Sequence, residues 1–215
     1  METDHIFIFS KNEGKEANDL LSFGFTEGSN RVHPGQGTRN RKFYFENFYL
    51  EILWVIDKKE IQSETTSVTK LWERSQFKQN NYSPYGLCLV NSKSTDILFE
   101  KSEIYKPIYL PKDKGIDIIT NEEFPKLPWI FRLPKREEKS ANNEPIEHYN
   151  GIKSLTRVEF EICSEISESK FSDYFNGFDS IAFERGDRTH LTLEFDNKIQ
   201  GKKREFSELN LTLKY

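Results

Sequence analysis

The sequence predicts an α+β protein of repeated βαβββ units whose strands form curved mixed sheets around a cleft. Three observations carry that prediction. Apolar, strand-like runs restart near residues 4, 85 and 155, at intervals of roughly 70 to 80 residues, and such internal self-similarity marks a repeated structural unit. Each restart is followed by a segment with helical spacing and then by short extended runs bounded by Gly, Pro or Asn. The core material is bulky: only 35% of the 215 residues are hydrophobic, yet 14% are aromatic, and each aromatic ring buries on the order of 150 to 250 Å².

The elements follow in order. Residues 4–9 read as a strand, and Ala17, Leu20, Leu21 and Phe23 share one face of a helix over 13–23 that Gly24 stops. Residues 25–27 are extended, Gly28-Ser29-Asn30 turns, and 31–40 read as a polar, Gly-rich connection; two strands at 41–46 and 48–56, split by Asn47, complete a first unit over 1–57. A connector over 58–81 carries a helix near 68–77. A second, degenerate unit spans 82–134, with a strand at 85–90, a short helix at 94–101 and extended pieces at 108–110, 116–119 and 129–133. A polar linker occupies 135–150. A third unit over 151–215 starts with the alternating run 155–163 and continues with a helix at 166–175 and strands at 178–183, 190–195 and 209–213.

Charge and cysteine content narrow the function classes. Lys and Arg total 31 against 35 Asp and Glu, a net charge of −4, so no basic excess points to nucleic acid or to an acidic membrane surface. No apolar run reaches the roughly 20 residues of a membrane span, and the opening Met-Glu-Thr-Asp has no signal-peptide pattern. A cytoplasmic protein is expected. Cys88 and Cys163 stand apart without a CxxC spacing and are expected as reduced thiols. A small-molecule ligand is the expected partner, and the pairing of such units leaves a homodimer open.

The strongest local pattern lies in the first quarter of the chain. Asp4-His5 opens an apolar strand; Arg31-Val32-His33-Pro34-Gly35-Gln36-Gly37-Thr38-Arg39-Asn40 follows; Tyr49-Leu50-Glu51-Ile52-Leu53 closes the unit. This combination resembles the glyoxalase-like domain proteins of the vicinal oxygen chelate superfamily, and Asn150-Gly151 is similar to that family's restart, with Tyr149 where Pro is usual. The resemblance implies βαβββ units in paired incomplete barrels. It also implies that His5 and Glu51 are ligands of a divalent metal such as Zn, Fe, Mn or Ni, completed by a His and a Glu from a partner unit. The later restarts offer Gly86-Leu87 and Thr156-Arg157 instead of His, and Phe131-Arg132 or Asn210 and Thr212 instead of Glu. His190, His148 or His33 would have to complete such a site; otherwise His5 and Glu51 form a hydrogen-bonded structural pair.

Two further groups are candidates from residue chemistry. Arg31, His33, Gln36, Thr38 and Asn40 set several donors beside two glycines, a composition suited either to a ligand's carboxylate, carbonyl or phosphate or to a self-tied turn. His33 near His5 and Glu51 would serve as a general acid or base. The aromatics over 43–54, Trp54 among them, would wall an apolar pocket or fill the core. Arg31, His33, Thr38, Asn40 and Trp54 are thus the candidate ligand contacts. Three functions remain open: a metal-free small-molecule binding protein; a metal-dependent lyase, isomerase or dioxygenase using His5 and Glu51; and a structural or dimerising module without a ligand. Fold alone does not choose among them.

Overall fold

The computed structural model describes residues 1–134, 143–162 and 170–215. β1 (Thr3–Phe9) is buried from His5 onward. Ile6 and Ile8 enter one apolar cluster while Phe7 and Phe9 enter another, and a strand covered on both faces explains a run that is nearly all apolar. Gly24, at φ 108°, ends α1 (Ala17–Phe23) in the left-handed conformation, its N–H turning back to the carbonyls of Leu20 and Leu21.

β2 (Asn30–His33) and β3 (Thr38–Tyr44) pair antiparallel, and β3 pairs in turn with β4 (Tyr49–Val55). The expected connection over 31–40 is therefore a hairpin. Its outer strand exposes Asn30, Arg31 and Val32, so no apolar alternation announced it. The connector carries three short helices, α2 (Lys58–Ile61), α3 (Glu64–Ser67) and α4 (Leu71–Ser75), in place of one helix. Asp57 and Ser63 cap the first two, and Lys70 at φ 57° forces a break before the third.

β5 (Tyr85–Leu89) and α5 (Lys93–Leu98) begin the next unit; Ser92 and Thr95 form a reciprocal cap at the helix start. β6 (Glu103–Tyr105), β7 (Ile116–Ile119) and β8 (Trp129–Arg132) complete it. The extended piece expected at 108–110 is a turn, closed by Leu110 N–H to Pro107 O at 3.1 Å, and the strand lies earlier, with Glu103 and Ile104 exposed at the sheet edge.

The eight strands form one sheet in the order β2-β3-β4-β1-β5-β8-β7-β6. The second unit repeats the order of the first in reverse. β1 and β4 are parallel, as are β5 and β8, and the antiparallel β1–β5 pair is the seam between units.

Residues 151–215 build a second sheet from β9 (Leu155–Ile162), β10 (Ile181–Arg185), β11 (His190–Phe195), β12 (Lys203–Phe206) and β13 (Leu211–Lys214), with α6 (Lys170–Phe175) between β9 and β10. Its order is β10-β9-β11-β13-β12. Here the strand after the helix pairs directly with the strand before it, unlike either unit of the larger sheet. Val158, Phe160, Leu191, Leu193, Leu211 and Leu213 share a core cluster with Ile6, Ile8, Leu50, Ile52 and Ile130. The smaller sheet thus covers the convex face of the larger one and leaves the concave face to a separate cluster built on Phe7, Leu53, Trp129 and Phe131. Part of the expected linker (135–142), Cys163 and the first residues of the helix expected at 166–175 lie outside the described residues.

Candidate functional site

Strand alternation decides which side chains meet. Cross-strand partners put Tyr49 beside His5, Glu51 beside Phe7, Lys42 beside Glu51 and Arg31 beside Asn40. Partners in register share a face, so β1, β4, β3 and β2 turn one continuous row of His5, Tyr49, Glu51, Lys42, Asn40 and Arg31 toward the concavity. That concavity encloses a cavity of about 720 Å³ reaching from β2 to β8, lined by these residues, by Phe7, His33, Gln36 and Leu53, and on the far side by Tyr109, Ile116, Trp129 and Phe131.

The polar wall is tightly connected. His5, 4% exposed, sets Nδ1 2.7 Å from Asp4 Oδ1 and Nε2 3.9 Å from Glu51 Oε2. Its ring stacks on Tyr49 at 4.2 Å and meets the edge of Phe131 at 5.1 Å. Asn40 is the linchpin of the row. Its Oδ1 accepts from Arg31 N–H at 2.6 Å and its Nδ2 donates to Glu51 Oε1 at 2.6 Å, which fixes the carboxylate plane. Tyr109 donates its hydroxyl to Gln36 Oε1 at 2.8 Å and lies under the Arg31 guanidinium at 5.0 Å. Burial pushes the Tyr109 phenol up, out of any physiological titration.

The structure divides the expected residues. His5, Glu51, Arg31, His33 and Asn40 come together on the cavity wall. His33 hydrogen-bonds the Thr38 hydroxyl through Nδ1 at 3.0 Å, and burial holds its pKa below the ordinary histidine value, opposed by nearby Glu51. Thr38 itself is fully buried behind that contact and does not line the cavity. Trp54 does not belong to the site. It pairs with Arg39 on the opposite face of β4 and packs over Gly14, where a Cβ would sit 2.5 Å from the indole ring. The glycine-rich turn is likewise committed internally: the N–H groups of Gly35 and Gly37 both donate to Glu60 Oε2, at 2.8 and 3.0 Å. Its two glycines, at φ 74° and 71°, allow the tight turn that presents those donors. Asp4, Gln36 as a partner of Tyr109, and Tyr109 itself are wall residues whose roles the sequence did not single out. Asp4 adjoins His5 in sequence and was the most readable of them.

Residues 3–97 match the family model described as the glyoxalase-like domain. This part of the chain is similar to the glyoxalase-like domain. The matched span holds β1 to β4, the connector, β5 and all but the last residue of α5. A hypothetical protein from Staphylococcus aureus, of known crystal structure, aligns with 99% of this chain and 98% of its own at 12% identity and a TM-score of 0.59. At that identity the likeness concerns the fold, which extends through both sheets. A hypothetical protein from Bacillus halodurans C-125 aligns over 65% of this chain and 97% of its own at 10% identity and a TM-score of 0.38, too low to bear on the argument. No curated protein matches the chain.

Glyoxalase-like domains often hold a metal, and the donor set of this cavity decides how well an ion would fit. His5 Nε2 and Glu51 Oε2 are donors of the right type. The corresponding strands of the second unit bring Gly86, Trp129 and Phe131 to the concave face, with the Phe7 ring lying over Gly86, where a Cβ would sit 2.1 Å from the ring. Carbon stands where further ligands would be needed. Asp4, His5 and Cys88 form the single trio of metal-ligating types among the described residues, with ligand atoms within 4.8 Å of one another. Within it, Asp4 and His5 already share a hydrogen bond. These arrangements do not fit the three or four protein ligands of a resident catalytic ion.

Proposed function

We propose that the protein binds a small organic molecule in the concavity of the eight-stranded sheet without a metal ion. The observation that carries this reading is the cavity itself. One side is an aromatic and aliphatic floor of Phe7, Leu53, Trp129 and Phe131; the other is a hydrogen-bonding wall of Arg31, His33, Asn40, His5 and Glu51. Small-molecule sites combine apolar area for affinity with a few fixed polar groups for orientation in this way. The indole N–H of Trp129 is buried with no hydrogen-bond partner, a donor that an occupant of the floor would satisfy. His33, neutral near pH 7 because burial lowers its pKa, contributes a wall contact that does not depend on charge.

The chain's three tryptophans provide the test. Trp129 lines the cavity, whereas Trp54 faces the convex side and Trp72 packs under Lys58 on the connector. In ¹⁵N-labelled protein screened against a fragment collection, binding fragments are expected to move the Trp129 indole resonance and leave the other two in place. Fragments that move Trp54 or Trp72 alone would remove the cavity from consideration. One equivalent of tightly held metal, lost on His5→Gln, would overturn the metal-free part.

A further inference from the structure

A buried stretch of the cavity wall holds a carboxylate oxygen with no hydrogen-bond donor in reach among the described residues. His5 turns Nδ1 to Asp4 Oδ1 at 2.7 Å, which leaves Nε2 directed at Glu51. Nε2 faces Glu51 Oε2 across 3.9 Å, beyond hydrogen-bond reach. Glu51 Oε1 is taken by Asn40, and Oε2 has no hydrogen-bond donor among the described residues. Both side chains are more than nine-tenths buried, His5 at 4% and Glu51 at 6% exposure. A buried carboxylate oxygen without a donor in reach is unfavourable unless a ligand's donor or a cation meets it.

The surroundings favour an organic cation. Tyr49 and Phe131 pack on His5, Phe7 is the cross-strand neighbour of Glu51, and Trp129 lies on the same floor. Aromatic rings attract cations, the more so where water is excluded. The rim does not decide the sign. Arg31 and Lys114 alternate there with Glu46 and Glu144, in a more exposed setting where charges count for less; Lys42, the other cross-strand neighbour of Glu51, turns its ammonium over the Tyr44 and Tyr49 rings at 5.2 and 5.9 Å.

We propose that the deep end of the cavity is a site for an organic ammonium group. The ligand's protonated amine donates to Glu51 Oε2 beside the His5 ring, and its carbon body rests on Phe7, Trp129 and Phe131. This inference rests on the reading of the concavity as a small-molecule site and adds the charge of its occupant.

Three probes of similar size and different charge test it on the native protein: 2-phenylethylammonium, 2-phenylethanol and 3-phenylpropionate, each titrated while the Trp129 indole resonance is followed. The ammonium is expected to bind about tenfold or more tighter than the alcohol, a difference of about 1.4 kcal/mol, with the carboxylate weakest. In Glu51→Gln, the ammonium is expected to fall to the level of the alcohol, with an unchanged far-ultraviolet circular dichroism spectrum. A carboxylate that binds the native protein as tightly as the ammonium would overturn the charge assignment and keep the cavity reading, since Trp129 would still respond. Silence of Trp129 toward all three probes would remove both. Stoichiometric Zn²⁺ or Mn²⁺ binding that excludes the ammonium would assign the gap to an ion instead, against the proposal.

Discussion

The two units of the eight-stranded sheet share an order of elements and differ in what they turn toward the cavity. β1 to β4 present His5, Tyr49, Glu51, Asn40 and Arg31 in a hydrogen-bonded row. β5 to β8 present Gly86, Ile116, Trp129 and Phe131. The strand frame is common to both units, yet the hydrogen-bonded row of side chains belongs to the first. Duplication of a unit therefore supplies a frame, and the chemistry of each half is set by a handful of inward positions. In this chain the first half carries the polarity and the second, with the connector, carries the packing.

If that division holds, substitutions on the packing side cost stability and substitutions in the polar row cost binding. The largest loss is expected at Arg74, which lies outside the polar row. It is fully buried and donates to the carbonyls of Ser83, Leu127 and Thr120. Burial pulls its pKa down to about 9, still leaving it charged at neutral pH. Arg74→Ala strands three carbonyls and is expected to destabilise by roughly 3 to 5 kcal/mol, read from urea unfolding; a loss below roughly 1 kcal/mol would mean the connector is not fastened this way.

Gly86→Ala comes next. Its new Cβ would fall 2.1 Å from the Phe7 ring, and displacing that ring is expected to cost about 1 to 3 kcal/mol and to narrow the cavity. Asn40→Ala in the polar row is expected to cost about 1 to 2 kcal/mol while weakening probe binding by more than the Gly86 change does. An Asn40 variant that binds normally would break the comparison.

The smallest effect concerns pH. Burial lowers the pKa values of His33, His148 and His190. Below the ordinary histidine pKa of about 6.5 the unfolded chain takes up protons that the folded chain refuses, so stability is fully present above that pH and is lost as pH falls through it toward the depressed folded values. Thermal midpoints measured from pH 7.5 down to pH 5 are expected to decline, and a rise over that interval would contradict the three burials.

The meeting of His5 and Glu51 was legible because the first and last strands of a βαβββ unit are neighbours and the two residues fall on the same parity of parallel partners. The same rule could have excluded Trp54, since a residue three places from an inward Glu51 on a strand must point outward. β2 was not legible: an edge strand with Asn30 and Arg31 exposed has no apolar alternation to read. Nor was Glu60's occupation of the glycine turn, a contact between residues about 25 positions apart in sequence that no local pattern encodes. The pairing of β9 with β10 was hidden for a related reason, because element order alone does not fix which strands become neighbours.

The Arg74 clamp has a bearing on how the cavity behaves when something enters it. Leu71, one turn away on the same helix, lines the cavity, so this part of the wall is fastened to three backbone carbonyls, one before β5 and two in the β7–β8 connection, before any ligand arrives. Little ordering is left for the complex to impose there. Differences in affinity among ligands should consequently reflect how well each complements a fixed shape, and off-rates should be more sensitive to changes at the half-exposed rim than to changes in this wall.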